Sequence, residues 1–517
     1  MISNTEKTLK NSTISVFAQI ITLLLQFINR RIFIIFLDIE YLGYQTLFGN
    51  VFSLLSVAEL GIGNIIAFHL YKEIAEDNKE EIGKLMYLYK WLYRIVAMIV
   101  LFSGLGCCFL LRFFVTDIMV SWSYLYTIYF IQLAGVVLGY FLSYRRTIYI
   151  ATQQEYKCVQ IDLCINVLIQ IIQFSLLAIF RIYILYLCLQ LSITIISNII
   201  ISIRTNKEFP YLKKKYRIAK EDIAKRSMFS DMENLLIHQI SYAIYGGTDN
   251  VIISAFCGIR KVALYGNYIT VKNGVSQILF YKLLNPIQAT IGNIVYSNRK
   301  KEDLWEQFNV LDVFSYFFAS YIGLGFLVFY QPFITIWIGS EYLLSDLFVA
   351  LFSVTIYLNA VFEIVYKYRT VFGNYKQDRN MMILSAMINL IISIPGAIWL
   401  GISGVQMGTM VAFLPIAFGR IRFVVGGFFE QSIKKYLKKH FLLLLLVVTE
   451  GLVCYLICNS LPISGLGFFV RGIVWIFIPL FINILVNFRN LYFYIMVSWM
   501  RKIIESLFTK IYKKRKK

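Results

Sequence analysis

Four cations interrupt stretches that are otherwise apolar enough to cross a lipid bilayer. Arg30 and Arg31 lie within FAQIITLLLQFINRRIFIIFL, and Lys272 and Lys282 lie in a second apolar run much further along the chain. A charge in hydrocarbon is costly, so such groups face a cavity or each other. Arginine presents a planar fork of donors that suits a phosphate or pyrophosphate, and lysine presents a compact point charge. In the first stretch Gln19, Gln26, Asn29 and Arg30 fall near helical spacing and share a face. Adjacent arginines cannot share one, so the pair divides between the interior and snorkelling toward the outer surface, and spacing leaves open which does which. Lys272 and Lys282 are ten residues apart, roughly 15 Å along a helix, with Gln277 between them. That separation matches an elongated ligand head. The chemistry these residue types point to is reversible binding of an anionic head group. The other reading of the two lysines is pairing with Glu59, Asp249 or Glu363.

The acids are the counterpart. Glu59 lies beside Gly61, Gly63 and Asn64 and reads as an ion or proton site, or as a partner for Arg30. Asp249 follows the break signalled by Gly246–Gly247 and reads as a structural or functional polar contact, since broken backbone at membrane depth needs a cavity or protein around it. Glu363 stands near the inner end of its span. Asp162 and Asp312 lie close to helix ends and are expected to be solvated. Glu450 falls mid-span and is expected to tie the last two spans to the rest. Asp231, Glu233, Asn234, His238 and Gln239 make their stretch the least apolar of all.

Spans must position these groups. Of the 517 residues, 59% are hydrophobic and 15% charged, against about 25% charged in soluble domains. The fold class is therefore all-α integral membrane protein. Windows of about 20 apolar residues give about fourteen transmembrane helices, near 12–37, 43–69, 91–113, 122–144, 158–180, 183–203, 229–256, 263–295, 308–330, 346–366, 381–400, 404–425, 441–459 and 468–488. The net charge of +21 raises the question of nucleic acid, but its placement answers it. Of the 50 Lys and Arg, 40 fall in alternate connections and the tail, and five (Arg112, Arg181, Arg260, Lys261, Arg471) in the opposite set. The positive-inside rule then puts both termini in the cytoplasm. The basic connection 204–228 and the tail would attract anionic membrane lipid.

The connection 204–228 also reads as the linker between two pseudo-symmetric six-helix lobes, 1–203 and 229–425. An added helix pair follows at 426–488, and a basic cytoplasmic tail at 489–517. GLGCCFLLRFFVT (104–116) and GLGFLVFYQPFIT (323–335) repeat at corresponding outer ends of a third span. No CxxC pair, HExxH or GxxxxGK[ST] phosphate loop occurs, so neither a zinc site nor a built-in ATP motor is indicated. The lack of one sizeable external loop argues against a membrane glycosyltransferase or polymerase. No cofactor is expected. A transporter remains, and whether it couples to H+ or Na+ is open.

Two segments carry a resemblance. TDNVIISAFCGIRKVALYGNY (248–268) resembles a segment shared by polysaccharide-transporter flippases, and LGYQTLFGNVFSLLSVAELGIGNIIAFHLYKE (42–73) resembles the same family's second span and first cytoplasmic connection. With the 6+6+2 span count, the chain resembles the O-antigen and capsule repeat-unit flippases (Wzx-like), which belong with multidrug and toxin extruders and lipid II flippases. The resemblance implies a V-shaped, MATE-like pair of lobes working by alternating access in the bacterial inner (plasma) membrane. The implied substrate is an undecaprenyl-pyrophosphate oligosaccharide. Glycan polymerase and glycosyltransferases are the implied partners, and nucleic acid is not one. Cations in spans 1, 2 and 8 serve related flippases. Arg30 or Arg31 matches span 1, Lys272 or Lys282 matches span 8, and span 2 departs by carrying Glu59. The alternatives are a cation-coupled multidrug exporter or a lipid II flippase of the same superfamily.

Overall fold

The computed structural model describes residues 4–59, 62–116, 118–214, 216, 240–241, 243–277, 287–288, 291–292, 295, 300–372, 375–499, 501 and 505. Among them there is no β-strand. The helices introduced here are α1 (Asn4–Phe36), α2 (Ile39–Leu55), α3 (Ile62–Ala75), α4 (Lys79–Phe114), α5 (Trp122–Ser143), α6 (Arg146–Ala151), α7 (Tyr156–Phe180), α8 (Tyr183–Glu208), α9 (Asp249–Cys257), α10 (Ile259–Ser276), α11 (Lys301–Trp337), α12 (Asp346–Val361), α13 (Glu363–Val371), α14 (Tyr375–Leu400), α15 (Ile402–Ile421), α16 (Ile433–Asn459) and α17 (Gly465–Asn487).

Local chemistry explains many of the starts. Side chains of Asn78, Ser121, Ser345, Ser432 and Ser464 each accept from a backbone N–H three residues on, which satisfies donors that a helix start otherwise leaves open. Among the described residues, eleven helical segments are long and apolar enough to cross a membrane. They correspond to all the expected spans except the second, seventh and eighth. The second is not continuous: α2 ends at Leu55, a 3₁₀ turn covers Ser56–Glu59, and α3 begins at Ile62. Much of the seventh and eighth, including Asp231, Glu233, Asn234, His238, Gln239 and Lys282, lies outside the described residues. The tenth runs further than its hydropathy suggests. Beyond Phe362 the chain continues as α13, and Lys367 and Arg369, expected in a cytoplasmic connection, are buried.

Packing divides the chain into two compact units, Met1–Gly266 and Asn267–Lys517. The division falls within α10 and not in the connection 204–228, because α9 and the start of α10 are bound to helices of the first unit. Ser254 Oγ donates to the Phe114 carbonyl at the end of α4, and Thr116 Oγ1 donates to the Ser254 carbonyl at 3.4 Å. Gly43 on α2 lets the Ile259 backbone approach so closely that a Cβ there would meet the Ile259 oxygen at 2.4 Å. In the first unit α1 is mostly exposed and is anchored by Phe33, whose ring meets Tyr183 and Tyr186 edge-on at 5.6 and 5.1 Å. In the second unit α11 and α12 form the centre. The hairpin of α14 and α15 is joined backbone to backbone: a Cβ on Gly404 would lie 1.9 Å from the Gly396 oxygen. Small residues at such crossings let helices approach where lipid supplies no hydrophobic drive.

Candidate functional site

Arg30 is the inward member of the arginine pair. Phe33 and Leu37, three and seven residues on, are buried and set the phase of α1. On that side Asn29 Nδ2 donates to the Tyr186 hydroxyl at 2.9 Å, and Arg30 Nη2 donates to the Ala263 carbonyl of α10 at 3.2 Å. A helical carbonyl keeps a second lone pair for such a bond. Gly266, nearly one turn on, makes room: a Cβ there would stand 2.8 Å from Arg30 Nη2 and 3.2 Å from Thr46 Oγ1. Arg31 and Gln26 are exposed. Spacing foresaw a division between the two arginines but not its direction.

Glu59 occupies the 3₁₀ turn that breaks the second span. The Tyr93 hydroxyl of α4 donates to it. Tyr89 and Tyr140 complete an aromatic wall, with ring centroids 4.3 and 5.8 Å from that of Tyr93. Gly63 keeps α3 close, since a Cβ would meet the Tyr89 hydroxyl at 3.0 Å. The pairing of Glu59 with Arg30 is not formed. Asp249 is buried in the first turn of α9, where helix N–H groups favour an anion, and it accepts from the Tyr265 hydroxyl at 3.2 Å. Lys272, on α10, is half-buried and Gln277, just past its end, is exposed; both lie beyond the division between units.

Glu363, in the first turn of α13, pairs with Lys367 at 3.2 Å. Arg420 stacks on the Tyr366 ring at 4.4 Å. Asp312 corrects the expectation of a solvated acid. It has no exposure, because α16 covers it: Tyr436 Oη and Lys439 Nζ each donate at 2.6 Å, and His440 Nε2 lies at 3.1 Å. Sequence reading missed these partners, although Tyr436, Lys439 and His440 share one helical face at i, i+3 and i+4. Asp162 is half-exposed as expected, yet it takes a two-pronged bond from Arg146 at 2.6 and 2.8 Å. Glu450 does bridge. Asn483 Nδ2 of α17 donates to Glu450 Oε1 at 2.9 Å, and the Tyr316 hydroxyl of α11 donates to Asn483 Oδ1. Arg471, read as an external charge, is buried. It donates to the carbonyls of Cys458, Leu461 and Pro462 at 3.2, 2.7 and 2.9 Å, which closes the end of α16. Among the described residues, no group of three or more His, Cys, Asp or Glu is placed to hold a metal ion.

The sequence matches the model of a family described as "Polysaccharide biosynthesis protein" over residues 8–284. No curated relative matches it. Among solved structures the fold is similar to the lipid II flippase MurJ in an inward closed conformation, with TM-score 0.67 and 16% identity, covering 92% of this chain and 98% of that one. It is also similar to an inward-facing multidrug resistance MATE family transporter of the MOP superfamily, with TM-score 0.55 and 15% identity, covering 78% and 94%. A MATE protein in a bent conformation aligns with TM-score 0.50 and 15% identity, covering 81% and 94%. At these identities the likeness concerns the fold, which is all-helical and multi-pass.

Proposed function

This chain belongs to the polysaccharide biosynthesis protein family, and on that premise we propose that it is a flippase for undecaprenyl-pyrophosphate-linked oligosaccharide, turning repeat units from the cytoplasmic to the outer leaflet of a bacterial plasma membrane. Membership in the family and a MATE-like fold make it a multi-pass membrane transporter. The observation that carries the finer reading is Arg30: a guanidinium inside an apolar helix, turned into the protein and seated on a helix carbonyl with a glycine making room. A carbonyl is a weak partner for a guanidinium compared with a phosphate, because charge-assisted bonds are shorter and roughly twice as strong. A pyrophosphate that reaches Arg30 is therefore a stronger partner for it than the Ala263 carbonyl.

The rest of the proposal follows from solvation. A sugar–pyrophosphate head crossing hydrocarbon would lose its water and gain nothing in return. A cleft carrying Arg30, Lys272 and Lys282, with the amides of Gln26 and Gln277, replaces that water while the prenyl tail stays in lipid, and Arg31 is left at the outer surface. Alternating exposure of the cleft moves the head, and moderate binding lets it leave. Glu59 and Asp249 are assigned to ion coupling, by H+ or Na+. Glu363 is assigned a structural part, since Lys367 already neutralises it.

The test is a variant with Arg30, Arg31, Lys272 and Lys282 all changed to alanine. The expected outcome is normal membrane insertion, loss of surface glycan and build-up of lipid-linked repeat units on the cytoplasmic side. Normal surface glycan from this variant would overturn the cationic cleft. A drug-resistance phenotype with no effect on glycan would favour an exporter.

A further inference from the structure

Three glutamines stand at one level of the first unit, about one helical turn from Arg30. The bond from Asn29 to Tyr186 ties α1 to α8, and the contact of Phe33 with Tyr183 shows that the two helices run antiparallel there. Gln26 precedes Asn29 by nearly one turn and Gln190 follows Tyr186 by just over one, so the two amides share a height. Gln190 Oε1 accepts from Gln45 Nε2 of α2 at 2.8 Å. Thr46, next to Gln45, shares a neighbour with Arg30: a Cβ on Gly266 would lie 3.2 Å from Thr46 Oγ1 and 2.8 Å from Arg30 Nη2. Gln26 and Gln190 are exposed, and so is Thr194, one turn beyond Gln190. All of these residues belong to the first unit.

Depth and chemistry limit what this layer can face. Gln26 stands near the middle of the apolar segment Thr13–Phe36. A primary amide left in lipid there loses its hydrogen bonds to water, so polar groups at such depth face protein or a water-filled cavity. The Gln45–Gln190 bond uses one N–H and one lone pair. Among the described residues, the remaining N–H groups of both amides and the Gln45 oxygen are left for further partners. The layer is also neutral. From Asn11 to Asn29, from Tyr41 to Leu55 and from Tyr183 to Ile203 there is no Asp, Glu, Lys or Arg. A ligand held here is therefore uncharged at this level and rich in groups that both donate and accept. A sugar hydroxyl does both. A planar amide sets an N–H and an oxygen side by side, as neighbouring hydroxyls of a sugar ring require.

We propose, resting on the flippase reading above, that Gln26, Gln45 and Gln190 form a sugar subsite: they bind the first sugar of the lipid-linked head while Arg30 holds the pyrophosphate. That sugar is bonded directly to a phosphate. Its contacts must lie about one helical turn from the phosphate's own partner, which is where the amides stand. Thr46 joins the two groups in sequence and in space. The consequence is selectivity. A guanidinium binds the pyrophosphate of a loaded carrier and of a bare one alike, whereas the amides gain partners only from the loaded one.

The experiment uses the full-length protein in lipid nanodiscs and two probes: undecaprenyl pyrophosphate, and the lipid-linked repeat unit that host cells accumulate when the gene is deleted. Wild type should bind the glycosylated probe about tenfold more tightly than the bare one, the worth of one or two neutral hydrogen bonds. In the double variant Gln45→Leu, Gln190→Leu that preference should vanish, and binding of the bare probe reports that the variant is folded. Arg30→Ala should weaken both probes. In the unaltered protein, a photoreactive diazirine on the first sugar should label α2 near Gln45 and α8 near Gln190, as read by mass spectrometry, and this arm stands even if the double variant does not fold. No preference in wild type, an undiminished preference in the double variant, or labelling that misses both helices would each overturn the subsite and leave the flippase reading intact. Binding of neither probe by wild type would overturn the flippase reading and the subsite with it.

Discussion

Arg30 in the first unit rests on a backbone carbonyl, whereas Asp312 in the second is gripped by a lysine, a histidine and a phenol. The same contrast extends to their neighbours. Glu59 and Asp249 take tyrosine hydroxyls, while Glu363 takes a lysine; the exceptions are Asp162 in the first unit, which takes Arg146, and Glu450 in the second, which takes the Asn483 amide. A hydroxyl or carbonyl dipole orients a charge, and an opposite charge also fixes two helices together. The first arrangement is the one the proposed exchange of partners at Arg30 requires. The second suits a joint.

The comparison can be broken in three places. The largest expected effect is at the joint. Asp312→Ala strips Lys439, Tyr436 and His440 of the acceptor they share and should destabilise the protein by about 3–5 kcal/mol, as removal of one partner of a buried pair does. Thermal unfolding in detergent measures it, and a change within experimental error would mean that α16 is held by apolar packing alone. The next is Gly266→Ala, which places a methyl group against Arg30. Overpacking of this kind costs about 1–3 kcal/mol, and the cost should vanish in an Arg30→Ala background. A double-mutant cycle on melting temperature decides the matter, because a glycine needed only for helix crossing would cost the same in both backgrounds. The smallest is Tyr93→Phe. Deleting the hydroxyl that Glu59 accepts from should lower stability by about 1 kcal/mol and alter the pH or sodium dependence of transport while glycan still reaches the surface. Unaltered ion dependence would remove Glu59 from the coupling assignment.

Much of this molecule is legible from local sequence, and the exceptions have one cause. Among the described residues, eleven spans follow from length and apolarity alone. The inward turn of Arg30 was also within reach, since Phe33 and Leu37 mark the buried side of α1. The bridge through Glu450 followed from its depth. What local reading could not supply were partners remote in the chain. Asp312 looked solvated because its three partners lie 124 to 128 residues away. Lys367 and Arg369 looked cytoplasmic because a hydropathy window stops at the first lysine, whereas the helix only kinks at Phe362 and carries both side chains inward. Arg471 looked external because nothing local shows that the end of α16 needs its carbonyls closed. The 3₁₀ turn at Ser56–Glu59 was not read from the sequence, where the second span ran unbroken over 43–69.

The glycine contact between α14 and α15 has a mechanical consequence. With the Gly396 and Gly404 backbones touching, Ser393 pressed against Gly408, and the chain reversed at Gly401 with φ of +59°, neither helix can slide or roll past the other without a steric collision. The hairpin is a stiff beam of two rods riveted near one end. A stroke within the second unit that moves one of the two helices near this contact must carry the other with it.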